Sequence, residues 1–272
     1  MSIRRLVVTA DDFGAAQAVN EAVERAHTTG ILTAASLMVS GEAVEDAVER
    51  ARRLPDLGVG LHVVLADGVP VLPPEQVPAL VGPDGRFHDS MVRTAFAIAL
   101  SPAAHAQMRA EVAAQFAAFA ATGLNLDHVN AHKHFHLHPM IASVILAEGR
   151  RHGLRSIRMP AQAGTGLMEG WARFLGRRWR KAGLATNDNV AGLIQTGAFT
   201  ADRMAQALQA LPVGLTELYT HPATVDAYPG SAPGYLYRAE LAALTDPGVI
   251  AALRDSGVEI GPFARFAGSQ VA

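Results

Sequence analysis

Five of the chain's eleven histidines fall in one twelve-residue stretch, HVNAHKHFHLHP (128–139). Imidazoles at that density are candidate metal ligands, but a complete site needs partners from elsewhere in the chain. With no cysteine present, disulfides are excluded and every ligand must offer nitrogen or oxygen. Other polar residues stand where apolar runs end. They are the adjacent carboxylates Asp11 and Asp12 in TADDFG, His62 in GLH, Arg158 in IRMP and His221 in YTHPA. Two neutral imidazoles and one carboxylate, with positions left open for water and substrate, suit Zn²⁺ or another first-row divalent ion. Such an ion acidifies bound water and polarises a carbonyl.

Adjacent carboxylates repel unless something positive lies beside them. A cation held by one removes that cost and leaves the other ionised and available as a base. The plainer alternative is that one aspartate caps the helix that begins near Ala15. Within the histidine run, strand alternation would place His132, His134, His136 and His138 on one side, spread too far along the chain to share one ion. His132, nearest the strand end, is the first-choice ligand, and His136 is next if the chain turns. His138 precedes Pro139 and suits a helix entry. His128, inside the strand, reads as a hydrogen-bonded structural residue.

These residues need a scaffold that gathers strand ends. Apolar, β-branched runs predict strands at 3–10, 32–40, 59–65, 126–132, 156–160, 215–220 and 258–263. Helical patterns lie at 16–29, 42–53, 103–122, 140–152 and 201–211, and Gly30, Gly123, Gly153 and Gly257 fall where helix C-caps are expected. Alternation of this kind predicts an α/β fold: one domain over 1–272, a (β/α) barrel, irregular or seven-stranded. In a parallel barrel all C-terminal strand ends meet at one face, where catalytic residues collect. The Pro- and Gly-rich stretch 66–101 reads as a long loop excursion, uncommon unless functional.

Half the residues are hydrophobic and 18% are charged, a globular composition. A net charge of −2 gives no electrostatic case for nucleic acid. The opening MSIRRLVVTADDFG reads as a first strand, its apolar run being too short for a signal peptide. Residues 94–100 are far short of a bilayer span. In GWARFLGRRWRKAGL, Trp171, Phe174, Leu175 and Trp179 mark one helix face, and Arg173, Arg177, Arg178, Arg180 and Lys181 surround it. That stretch is either a helix packed on the barrel with solvated arginines, or an interfacial helix that meets anionic lipid.

Taken together, TADDFG, GLH, NAHKHFH, IRMP and THPA resemble the YdjC-like family of carbohydrate deacetylases. NVAGLIQTGAFT, LPVGLTELYTHPAT and GVEIGPFA resemble its hopanoid-biosynthesis-associated (HpnK-type) branch. That resemblance implies Asp12, His62 and His132 as metal ligands, Asp11 as general base and His221 as general acid. It also implies Arg158 as the arginine that orients the aspartate, with His134 and His136 contacting substrate or supporting the ligands. The implied cofactor is one divalent ion, zinc first, with Mg²⁺ or another ion as the alternative. The implied substrate is an N-acetylglucosamine-type sugar, in the branch reading the head group of a bacteriohopanepolyol. The implied location is the cytoplasm, peripheral at the inner membrane through residues 167–184 if the sugar is lipid-linked; a homodimer stays open. The alternatives are a chitooligosaccharide deacetylase of the same family, a binuclear phosphoesterase or amidohydrolase using His132 and His134, and a non-enzymatic metal-binding module.

Overall fold

A strand buried on both faces reads as an unbroken run rather than an alternation, and the first strand does so from Leu6 to Phe13. In the computed structural model, which describes residues 3–268, each strand is followed in chain order by one or two α-helices. The first half runs β1 (Arg4–Phe13), α1 (Gln17–Thr29), β2 (Ala34–Leu37), α2 (Val44–Arg53), β3 (Gly58–Val63), α3 (Met91–Leu100), α4 (Pro102–Ala121), β4 (Val129–Ala131) and α5 (Pro139–Arg151). The second half runs α6 (Leu167–Lys181), β5 (Asn189–Ala191), α7 (Ala201–Gln209), β6 (Gly214–Thr220), α8 (Tyr237–Leu244), α9 (Pro247–Ser256), β7 (Glu259–Ile260) and α10 (Phe263–Ala267).

The sheet is parallel throughout, in the order β4-β3-β2-β1-β6-β5, with β7 beside the start of β1. It curls into a barrel-like fold. Between its β4 and β5 edges runs the segment 155–161. Arg158 donates its backbone N–H to Val129 O, Ile157 donates to Ala185 O, and Val190 donates to Ala161 O. The strand expected at 156–160 is thus present only as isolated bridges. The reason is a side chain in the ladder: the Asn187 amide takes up both the N–H and the C=O of Met159. β5, three residues long, has no signal in the sequence pattern.

Alternation along the strands divides the barrel interior into two layers. The lower layer is an apolar plug of Val7, Ala34 and Leu215 closed by Phe263 and Phe266 of α10. Asp127 fixes that plug by accepting the N–H groups of Phe263 and Ala264 and by pairing with His128 Nδ1 at 2.9 Å. His128 is accordingly structural, and β3 makes room for it: a Cβ on Gly60 would lie 2.5 Å from the ring. The upper layer is polar and carries the site.

Two expectations change on contact with the structure. The histidine run does not stay extended; β4 stops at Ala131, and 132–137 wind into a 3-10 turn with Lys133 and His134 left-handed. The excursion at 66–101 contains its own helix, α3, and is fastened to α4 by three residues spaced one turn apart. Gln107 accepts from Ala79 N, Glu111 from Val71 N and Leu72 N, and Gln115 pairs with both backbone groups of Val64. Loop backbone brought against a core needs such partners. Glu111→Ala removes two charge-assisted bonds from part-buried N–H groups and is expected to cost about 2–4 kcal/mol in denaturant unfolding. It should also raise hydrogen exchange selectively at 64–80; an unchanged exchange pattern there would refute the fastening.

Candidate metal and catalytic site

The end of β1 is where the sequence forces an irregularity. The register with β2 runs Ala10 to Ala35 and then Phe13 to Leu37, so β1 carries one extra residue. Asp12 takes up that residue with a φ of +63°, a region non-glycine residues seldom enter. Simple alternation would aim Asp11 and Asp12 to opposite faces; the bulge lets both line one cleft.

In that cleft the Asp12 carboxylate meets two imidazoles, His62 of β3 and His132 just past β4. Asp12 Oδ1 lies 3.3 Å from His62 Nε2 and 3.2 Å from His132 Nδ1, and the two nitrogens are 3.4 Å apart. Bonds of about 2.0–2.2 Å to one tetrahedral ion separate ligand atoms by about 3.3–3.6 Å, so the triangle has the size of one face of such a site. Asp12 Oδ1 is buried without a hydrogen-bond partner, a costly state that a cation relieves. The tautomer of His62 fits as well. Asn130 Nδ2 donates to Asp11 and Ser36, leaving its Oδ1 to accept from His62 Nδ1–H at 2.6 Å. The Nε2 lone pair then faces Asp12 and His132, the arrangement that holds a ligating imidazole in place. Among the described residues, this is the group of acidic and histidine side chains that converges closely enough to hold an ion.

Asp11 sits one layer deeper, at the floor of the cleft, in a charged network. Arg158, fully buried, grips both its oxygens (2.6 and 2.9 Å), and Ser36 and Asn130 add two more donors to Oδ1. The other edge of the guanidinium is held by Glu217, at 2.9 Å from Nε and 2.7 Å from Nη2. Burial alone would raise the Asp11 carboxyl; Arg158, with smaller contributions from His62 and His221, outweighs it and holds Asp11 far below the usual carboxylate range. Asp11 is therefore ionised at every working pH.

The remaining expected residues separate. His221, just past β6, lines the cleft with its Nδ1 buried and unpartnered, and Glu240 of α8 holds its backbone N–H. His134 also lines the cleft, edge-on to Tyr219 at 5.3 Å. His136 does not: it is fully buried, stacks on Trp179 and pairs through Nε2 with the Arg158 carbonyl at 3.1 Å. His138 is the residue before Pro139 at the start of α5.

Three more features were not legible in the motifs. All four tyrosines of the chain line the cleft or its extension: Tyr219, Tyr235 and Tyr237 around His221, Tyr228 beside Asp12. Burial pushes Tyr235 up to about 12, so its hydroxyl stays protonated as a donor. Among the described residues, the four non-glycine ones with positive φ, Asp12, Asp67, Lys133 and His134, all line this one cleft, and Lys133 pairs with Asp67 across it. Strained backbone concentrated in one place is a mark of a functional site. Buried carboxylates also stand inside otherwise apolar elements, Glu217 in GLTELYT and Glu240 in YRAELAAL.

Fold and site together define a (β/α)-barrel protein with an Asp-His-His centre at the C-terminal ends of its parallel strands. The chain belongs to the YdjC-like protein family, whose profile matches residues 5–255. It is 31% identical over 268 residues to a carbohydrate deacetylase of Geobacillus stearothermophilus, covering 97% of this chain and 98% of that protein. A carbohydrate deacetylase of Mus musculus is 32% identical over 289 residues, covering 94% and 93%. One from Brevibacillus brevis is 40% identical over 142 residues, covering 52% of this chain and 54% of that protein. A crystal structure from Enterococcus faecalis V583, tentative in its assignment to cellobiose-phosphate cleavage, superposes with a TM-score of 0.80 at 24% identity. It covers 97% of this chain and 99% of that one, which establishes the shared fold.

The network also fixes a pH dependence. Burial, then the Arg158 cation, pushes His136 down to about 3 from an ordinary 6.5. Below pH 6.5 the unfolded chain takes up a proton there that the folded chain refuses, so stability falls as pH falls, approaching about 1.4 kcal/mol per pH unit. His136→Gln is expected to flatten the unfolding free energy between pH 6 and pH 4.5 by about that slope; an identical slope in both proteins would contradict the assignment.

Proposed function

We propose that the chain is a metal-dependent carbohydrate N-deacetylase in which one domain carries the whole reaction. The observation that carries the reading is the Asp12, His62, His132 triangle, set in the wall of a cleft that also holds Asp11 and His221. A single divalent ion held by those three residues, zinc being the first choice for an N₂O donor set, supplies Lewis acidity toward the acetyl carbonyl and acidifies water. Full-length relatives named carbohydrate deacetylases support the same chemistry.

In this reading the chain's own residues manage protons and position. Asp11, ionised and locked by Arg158, Ser36 and Asn130, accepts the proton of the attacking water as its oxygen commits to carbon. Glu217 keeps the guanidinium from turning away from Asp11. His221, whose Nδ1 has no other partner, delivers a proton to the departing sugar nitrogen, without which amine loss is very slow. The tyrosines offer flat faces and hydroxyl donors to a pyranose ring. The products are acetate and a free amino sugar.

The finer reading is that the sugar is the N-acetylglucosaminyl head group of a bacteriohopanepolyol, rather than a soluble chitooligosaccharide. It is supported by the sequence likeness to the hopanoid-associated branch. A binuclear centre is disfavoured, since His134 stays outside the ligand group.

The test is acetate release by zinc-loaded protein from N-acetylglucosaminyl bacteriohopanetetrol and, in parallel, from diacetylchitobiose. Turnover of the lipid alone supports the finer reading; turnover of chitobiose alone keeps the deacetylase and discards the branch. His221→Ala and Asp11→Asn are each expected to lower kcat by about 10²–10⁴-fold. Silence on both substrates, or full activity in these variants, would overturn the proposal.

A further inference from the structure

Two helices at the rim of the barrel turn apolar faces outward. α3 buries Thr94 and Ile98 and presents Val92, Phe96 and Leu100, one turn apart, to solvent; Phe96 is 62% and Leu100 78% exposed. α6 buries Ala172, Leu175 and Trp179, while Leu167 stands 94% exposed beside exposed Met168, Trp171 and Phe174. Half of the face that its sequence marked as apolar is thus not covered by the barrel. A surface helix should do the reverse, and α3 and α6 do it on either side of the same two residues. Trp171 Nε1 donates to Leu137 O at 2.8 Å, and the His138 ring lies beside the backbone of Ala95.

Charge decides between occupants. Arg173 and Arg180 are paired with Glu169 and Asp188, but Arg93, Arg177, Arg178 and Lys181 make no ion pair among the described residues. Arg178 lies over the Phe174 ring, itself stacked on Trp171. Exposed apolar side chains on helices that also carry unpaired cations, on a chain of net charge −2, complement an anionic lipid surface. A two-fold interface through this patch would instead set like cations against each other. The indole N–H is already satisfied inside the protein, so the ring can enter an apolar phase without an orphaned donor. No helix among the described residues is long and apolar enough to cross a membrane, so contact would be at the surface.

We propose that the outward faces of α3 and α6 form a docking surface for a bilayer that carries anionic lipid. The patch reaches the catalytic rim: Ile194, exposed, packs beside Gly164 ahead of α6, and its neighbour Leu193 lines the cleft. Docking there brings the mouth of the cleft to the headgroup layer. The inference stands on surface geometry and does not require the deacetylase reaction.

The experiment is flotation of the full chain with phosphatidylcholine vesicles containing about one-third phosphatidylglycerol, at low salt, beside pure phosphatidylcholine. Binding is expected to the anionic vesicles and to fall about tenfold in the double variant Phe96→Gln/Leu167→Gln, and separately in Arg177→Gln/Arg178→Gln. These residues are exposed, and far-UV circular dichroism checks that the fold is kept. Brominated lipid should quench Trp171 in a Trp179→Phe background. No binding at low salt, or binding indifferent to both variants, overturns the proposal. So does a dimer that the Phe96→Gln/Leu167→Gln variant makes monomeric, which would assign the patch to a second copy of the chain.

Discussion

A guanidinium buried inside a barrel is the constraint around which the upper half of this protein is arranged. Arg158 has no water to solvate it, so the fold must supply every partner. Asp11 arrives from β1 and Glu217 from β6, and between them they take the donors of Nε, Nη1 and Nη2. Placing Asp11 there fixes where its neighbour must go. Asp12 can reach the same cleft only through the left-handed bulge, and the bulge is affordable because β1 is paired on both sides. The metal-type triangle is thus a consequence of how a buried charge is neutralised.

The same network sets two carboxylates to different tasks. Asp11 is saturated by donors on one oxygen and gripped by an arginine on the other, while Asp12 Oδ1 has no hydrogen-bond donor at all. Identical side chains side by side in sequence therefore differ in what they can still bind. Asn130 couples the two halves: one amide serves Asp11 and Ser36 and also fixes the tautomer of His62. Removing it would disturb both the locked carboxylate and the His62 imidazole.

Much of this was legible in the sequence where chemistry and chain direction coincide. Asp12, His62 and His132 each follow an apolar run, and parallel topology alone brings such positions together. The class of fold was legible for the same reason. What sequence could not supply was anything that depends on a backbone leaving its regular path. Alternation placed four histidines on one side of an extended strand; the left-handed Lys133 and His134 send His134 into the cleft and His136 behind Arg158. Asn187, standing in for a strand partner, leaves the strand expected at 156–160 as isolated bridges. Ser36, Asn130, Glu217 and Glu240 were passed over because a polar residue inside an apolar run is informative only once its burial is known.

The central claim is that one ion is held by Asp12, His62 and His132. Anomalous diffraction at the zinc edge from zinc-loaded crystals tests it most directly. One strong peak per chain is expected, about 2.0–2.2 Å from Asp12 Oδ1, His62 Nε2 and His132 Nδ1. A second peak of comparable height in the cleft, or a single peak bound by His134 in place of His62 or His132, would contradict it.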